Sequence, residues 1–183
     1  VLSNVVVRFA ATNGASIAIA SATTNSQGIA STTLTSIKAG ISKVTATING
    51  HSQSVDTTFV PDSSTATIIT GALTVTTDNA KANGAATDTV QAKVTDANGN
   101  AVPNTTVLFY RGGHGVSVST NSEGIASTTF TSVVARSDTV TAYEINHSRD
   151  TRSVIITFIA DSSTASVETT LIDNGARANG SAA

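Results

Sequence analysis

The side chains that could do chemistry in this 183-residue chain are few and scattered. Nucleophilic catalysis needs a base held beside the nucleophile by a third group. Serines abound, but the histidines are His51, His114 and His147 alone, and none stands in a Gly-x-Ser-x-Gly context. His51 and His147 each adjoin a serine in a polar stretch, which reads as a solvated surface turn. His114 lies in Arg111-Gly-Gly-His-Gly115, and a glycine-rich loop cradles phosphate when a helix N-terminus follows it. A strand pattern follows here, so the reading is a tight hairpin loop. Asp78, Asp88, Asp96, Asp161 and Asp173 form no Asp-x-Asp-x-Asp series of the kind a calcium loop needs. Asp96 and Asp161 read as turn and linker residues, because Asp bonds its own backbone two residues on. Cysteine is absent, which removes thiol chemistry and Cys-ligated metals. No catalytic residue, cofactor or metal ligand is assigned. One stretch has binding character: Tyr143-Glu-Ile-Asn-His-Ser-Arg-Asp-Thr-Arg152. Its Tyr143, Arg149 and Arg152 are of the types enriched at interface hot spots, and they make it the candidate ligand-contact loop.

The elements that must carry these residues follow from composition. Hydrophobic residues are 39% of the chain, mostly Val, Ile and Ala, with only 4% aromatic. Charged residues are 12%, about half the roughly 25% usual in globular chains, and Thr and Ser are abundant. β-Branched residues suit a pleated, half-buried surface, so the composition predicts β-sheet with hydroxyl-rich outer faces. Ten basic and twelve acidic residues are spread thinly, and no basic cluster exists to neutralise a run of phosphates. Nucleic acid is therefore not an expected partner. No apolar run reaches the ~18 residues of a membrane-spanning helix. The chain opens Val-Leu-Ser without Met or a signal segment, which reads as an internal piece of something longer.

Internal repetition sets the organisation. Asn25-Ser-Gln-Gly-Ile-Ala-Ser-Thr-Thr-Leu-Thr-Ser36 returns as Asn121-Ser-Glu-Gly-Ile-Ala-Ser-Thr-Thr-Phe-Thr-Ser132, a shift of 96. Val44-Thr-Ala and His51-Ser return at the same shift, Phe59-Val-Pro-Asp-Ser-Ser-Thr-Ala66 returns from Phe158, and Lys81-Ala-Asn-Gly84 returns as Arg177-Ala-Asn-Gly180. The expected domains are a partial module over 1–62 lacking its opening strands, a complete module over 66–161, and the opening segment of a third over 165–183. Within the complete module, period-two alternation places Val90, Ala92 and Val94 on one face. Val107 with Phe109, Ala126 with Thr128 and Phe130, and Val154 with Ile156 and Phe158 form further inward sets. Asp96-Ala-Asn-Gly-Asn100 supplies turn chemistry, Asn-Gly being suited to positive φ. Strands punctuated every eight to twelve residues predict a sandwich. The linkers around Pro61, Asp62, Asp161 and Ser162 are brief and free of glycine, which predicts restricted bending between modules. Residues 143–152 carry a three-residue insertion relative to the first module.

These motifs resemble the bacterial Ig-like type 1 repeats of the intimin/invasin family of outer-membrane adhesins, the inverse autotransporters. The residues that carry the resemblance are Asp78-Asn-Ala-Lys-Ala-Asn-Gly84, Val94-Thr-Asp-Ala-Asn-Gly-Asn-Ala-Val-Pro103, Val107-Leu-Phe109, Asn121-Ser-Glu-Gly-Ile-Ala126, Val140-Thr-Ala142 and Phe158-Ile-Ala-Asp161. The resemblance implies an all-β fold of tandem immunoglobulin-like sandwich modules in an elongated array. It implies a place outside the bacterial cell, anchored to the outer membrane through a part not in this chain. The expected function is a non-enzymatic stalk that projects an adhesive tip, its partners being the neighbouring modules. The alternative is a module that itself binds a host or bacterial surface protein or glycan. An accessory module of a secreted enzyme is a third, smaller expectation.

Overall fold

The computed structural model describes residues 1–147 and 150–170. Arg149, Asp173 and the part of the expected third module beyond residue 170 lie outside the described residues. Among the described residues thirteen strands are formed: β1 Val6–Ala11, β2 Ser16–Ile17, β3 Ser21–Thr23, β4 Leu34–Thr35, β5 Gly40–Ile48, β6 His51–Phe59, β7 Leu73–Thr77, β8 Asp88–Lys93, β9 Thr106–Arg111, β10 His114–Ser119, β11 Ile125–Phe130, β12 Arg136–Glu144 and β13 Arg152–Phe158. The described residues hold no α-helix, only short 3-10 turns at Ser63–Thr65, Ile145–His147 and Ser162–Thr164. No helix among them is long and apolar enough to cross a membrane.

From residue 66 onward two antiparallel sheets face one another, a four-stranded sheet in the order β10-β9-β12-β13 and a three-stranded sheet in the order β11-β8-β7. The predicted alternation sets the facing sides. Val107 and Phe109 of β9, Val140 and Ala142 of β12, and Ile156 and Phe158 of β13 are buried from one sheet. Leu73 of β7, Val90 and Ala92 of β8, and Ala126 and Phe130 of β11 meet them from the other. Ile68, Val94 and Val102 close the end nearest the first module. Outward residues are largely hydroxylic. Ser137 faces Thr157 at 3.1 Å and Thr141 faces Ser153 at 3.0 Å, cross-strand pairs that stabilise the sheet and keep its surface polar.

Residues 1–59 repeat half of this plan. The sheet order β3-β1-β5-β6 matches β10-β9-β12-β13, and the register matches too: Phe9 pairs with Ala46 as Phe109 pairs with Ala142. Among the described residues no strand is paired to this sheet's partner face as β7 and β8 are in the second unit, and β2 pairs only with β4. The apolar cluster lies wholly in residues 66–158. In the first unit Val55, on the inward face, is 67% exposed, and Val6 and Ile41, on the outer face, are 49% and 63% exposed.

The repeated Asn-x-x-Gly-Ile motif has a definite local role. Asn121 Oδ1 accepts from the amides of Glu123 and Ile125 at 2.9 and 3.0 Å, as Asn25 does from Gln27 and Ile29. Gly124 closes the turn at φ 74°, and a Cβ there would lie 2.5 Å from the carbonyl oxygen of Val94. Only glycine fits so near the backbone of the neighbouring loop.

Candidate functional site: the module junction

The linker is an organised turn. Asp62 caps the 3-10 turn Ser63–Thr65, its Oδ1 accepting from the Ser64 amide at 3.0 Å and the Ser64 hydroxyl at 2.6 Å. The turn is then fastened to the second module. The Asp62 amide donates to Asp96 Oδ2 at 3.0 Å, and the Ala97 amide donates to Thr65 Oγ1 at 3.1 Å. Thr67 and Thr95 exchange backbone bonds of 2.9 and 3.1 Å.

Asp96 is the hub of this junction. It is 3% exposed, and its Oδ1 also accepts from the amides of Asn98 and Asn100 at 2.9 and 2.8 Å. Burial alone would raise its carboxyl pKa. The Asn100 carboxamide and the amides of Asp62, Asn100 and Asn98 more than offset that and hold it below the ordinary value. The Asn-Gly expectation needs correcting here. Gly99 takes φ 83° but Asn98 does not enter the positive region, so the Asp96 carboxylate shapes the loop in place of a paired Asn-Gly turn.

Asn100 crosses to the first module. Its Nδ2 donates to the Ile37 carbonyl at 2.9 Å and its Oδ1 accepts from the Ala39 amide at 2.8 Å, while Nδ2 also reaches Asp96 Oδ2 at 2.8 Å. One carboxamide thereby reads a carbonyl and an amide two residues apart, as a neighbouring strand would.

A second strut starts at Glu144, 1% exposed at the end of β12. It accepts from Thr105 Oγ1 at 2.6 Å and from the Asn146 amide and carboxamide at 3.0 Å each, and its Oε2 lies 2.8 Å from His147 Nδ1. The other ring nitrogen, Nε2, lies 2.9 Å from the Ser64 carbonyl in the linker turn. Carboxylate and carbonyl only accept, so the doubly protonated ring is the form that satisfies both contacts. The hydrogen bond to Glu144 raises the His147 pKa above its ordinary value. For Glu144, burial pushes upward but the Thr105 and His147 hydrogen bonds outweigh it, and its pKa falls below the ordinary value. The expectation of a solvated turn histidine is overturned for His147, whose side chain is 31% exposed and holds the linker; His51 remains exposed.

The far end of the module is closed by Arg111. Its guanidinium lies 4.8 Å from the Phe158 ring centre and 5.6 Å from that of Phe130. It donates to Asp138 Oδ2 from Nε at 3.0 Å and Nη2 at 2.6 Å, and to the Thr131 carbonyl at 2.9 Å. Gly112 and Gly113, both at positive φ, make the tight hairpin turn expected of the Arg-Gly-Gly-His segment. Arg136 also pairs with Asp138, at 2.9 Å, so the shallow cavity of about 240 Å³ beside Arg111, His114 and Phe130 is flanked by arginines already engaged. Asp161 caps the second linker turn as Asp62 caps the first. Its bonds from the Ser163 hydroxyl and amide, with Lys81 at 3.3 Å, hold its pKa down to about 2. Among the described residues no three His, Asp or Glu side chains converge as a metal site would require.

Of the anticipated linker residues, Pro61 is half-buried, Asp62 caps the first turn, and Asp161 and Ser162 open the second. The anticipated contact residues are separated. Arg152 pairs with Ala142 and shares its inward face, whereas Tyr143 pairs with Leu108 on the outer face, and Arg149 lies outside the described residues. Sequence reading missed Asn100 and Glu144. For Glu144 the signal was present, because period two carries the buried face from Val140 through Ala142 to residue 144. For Asn100 no signal in its own loop points across the junction.

Comparison with known proteins agrees with the repeat analysis. The family model described as bacterial Ig-like domain, group 1, matches residues 1–60 and again 70–159. Among solved structures, the D0-D1 domain of intimin is 26% identical over 87% of this chain and 83% of that one, with a TM-score of 0.47. Invasin, described as a bacterial integrin-binding protein, is 26% identical with a TM-score of 0.48, over 87% of this chain and 33% of its own length. No curated protein matches the chain in sequence. Two successive matches to one family model, over most of the chain, place it plainly: it belongs to the bacterial Ig-like domain family, group 1.

Proposed function

We propose that this chain is a stalk segment of a bacterial outer-membrane adhesin of intimin/invasin type, a spacer without enzymatic activity that carries an adhesive tip away from the cell surface. The observation that carries the reading is the junction: a capped linker turn, the Asp96 hub, the Asn100 bridge and the His147 strut converge where the modules meet. Asp96 and His147 tie the linker to the second module and Asn100 ties that module to the first, an end-to-end placement that suits a spacer. Hydroxyl-lined outer faces suit a surface that does not adhere to its neighbours. The test is exchange of residues 66–161, within the complete surface-displayed protein, for an unrelated Ig-like module of equal length. Retained adhesion to host cells is expected; lost adhesion overturns the spacer role.

A second reading has one specific observation in its favour. Both tyrosines of the chain, Tyr110 and Tyr143, fall on the outer face of the four-stranded sheet and flank Leu108. The register-matched positions in the first unit are Ala10, Thr47 and Arg8. A direct ligand contact by this module would use that face, with Tyr110, Leu108 and Tyr143 as its centre. Saturable binding to host cells that is lost in Tyr110→Ala and Tyr143→Ala variants would establish it.

A further inference from the structure

The far end of the second module reproduces, group by group, the surface of the first module on which Asn100 sits. Ser36 Oγ donates to the Lys38 carbonyl at 2.8 Å and accepts from the Lys38 amide at 3.0 Å. Ser132 makes the same pair of bonds with Val134, at the same 2.8 and 3.0 Å. The loop that presents Ile37 O and Ala39 N to the Asn100 carboxamide is thus formed again, presenting Val133 O and Ala135 N. Among the described residues neither of these is engaged. The linker turn is repeated as closely. Asp62 and Asp161 cap with φ, ψ of −80°, 92° and −83°, 95°, and the turns leave through Ala66 and Ala165 at −62°, 127° and −62°, 132°. The Asp62 amide is taken by Asp96, and the Asp161 amide stands in the matching place. The sequence then continues into a third repeat, Arg177-Ala-Asn-Gly180 echoing Lys81-Ala-Asn-Gly84.

We propose that this end of the second module, made by Val133 O, Ala135 N, the Asp161 amide and Thr164 Oγ1, is the docking surface for the next Ig-like module of the same protein, through a loop carrying Asp and Asn four residues apart. The Asp of that loop takes the Asp161 amide, and its Asn carboxamide bridges Val133 O and Ala135 N. Every junction then repeats one geometry, and a fixed turn per module yields a regular rod. This deepens the stalk reading and rests on it.

The test joins residues 1–160 to a second copy of residues 62–161, which keeps the repeat in phase. The chain has no cysteine, so spin labels can be placed at Ser117 and at the same residue of the added copy without background. The distance between them is read by pulsed electron resonance. A single narrow distribution is expected, and Asn100→Ala in the added copy alone should at least double its width. An Ala135→Pro variant, which removes the N–H that donates to the incoming Asn Oδ1, should do the same, with thermal unfolding used to confirm that the modules stay folded. A broad distribution in the unsubstituted chain overturns the proposal, as does a narrow one that survives Asn100→Ala. Failure here would leave adhesion after module exchange unaffected, so the stalk reading stands or falls separately.

Discussion

Glu144→Ala isolates the least expected group in the second module, a carboxylate only 1% exposed. Removing one partner of a fully buried pair costs about 3–5 kcal/mol. Here the surroundings soften that figure. His147 is 31% exposed, and Asn146 can turn to water, so the groups left behind are partly resolvated. Thr105 Oγ1 loses its 2.6 Å acceptor outright. A loss somewhat below that range, about 2–3 kcal/mol, is therefore expected. For a module of this size that lowers Tm by on the order of 10–20 °C. Calorimetry of the second module's transition reads it directly. The pH dependence adds a sign. The Glu144 pKa is lowered on folding, so its contribution is complete above the ordinary value near 4.5 and is lost as pH falls through the lower folded value. The gap between the native chain and Glu144→Ala should close under acid. His147 runs oppositely. Its pKa is raised, so its contribution is complete below 6.5 and is lost as pH rises through the higher folded value. A His147→Ala variant should thus differ from the native chain in junction order near pH 5–6, and the difference should fade in mild alkali. A Glu144→Ala loss below about 0.5 kcal/mol, or one unchanged between pH 3 and 6, would refute the view that this buried network stabilises the module.

Asn100→Ala should loosen the native junction: two inter-module bonds at a net ~0.5–1.5 kcal/mol each shift its opening by roughly 5- to 150-fold, visible as a broadened distance distribution between labels at Gln53 and Ser117. Gly124→Ala, forcing a Cβ to within 2.5 Å of Val94 O at φ 74°, should cost about 1–3 kcal/mol and lower the urea midpoint of the second module. Residues 1–62 alone, with Val6, Ile41 and Val55 largely uncovered, should sediment above monomer mass at high concentration.

The sandwich was legible because its signal is redundant. Val90-Ala92-Val94, Val107-Phe109 and Ile156-Phe158 each state the same period, and each inward set was buried as expected. The junction was legible only in outline. Short glycine-free linkers predict restraint, and both fold as Asp-capped turns. What could not be read was which side chains reach across. Asn100 lies 61 residues from Ala39 in sequence, and the pairing exists only because two modules are placed end to end. Glu144 is hard to read for a different reason: a charged residue next to a polar segment is usually solvated, yet the strand period carries this one inward. His147 followed Glu144, since its role depends on that buried partner and on a linker turn 83 residues away.

The way Asn100 bonds explains how such an array can vary in sequence and keep one geometry. Its carboxamide touches the carbonyl of residue 37 and the amide of residue 39, groups that every residue except proline supplies. The side chains of the receiving loop are therefore free to change. They do so between the two modules, where Ile37-Lys38-Ala39 is replaced by Val133-Val134-Ala135 while the Ser-anchored loop geometry is unchanged. What must persist is the serine that shapes the loop, the aspartate that caps the linker, and the Asp-Asn pair of the incoming module. An apolar junction would need complementary shapes on both sides, and each substitution would have to be matched by its neighbour. A junction read through backbone groups escapes that coupling, so modules can diverge on their faces, as Tyr110 and Tyr143 have, without disturbing the junction.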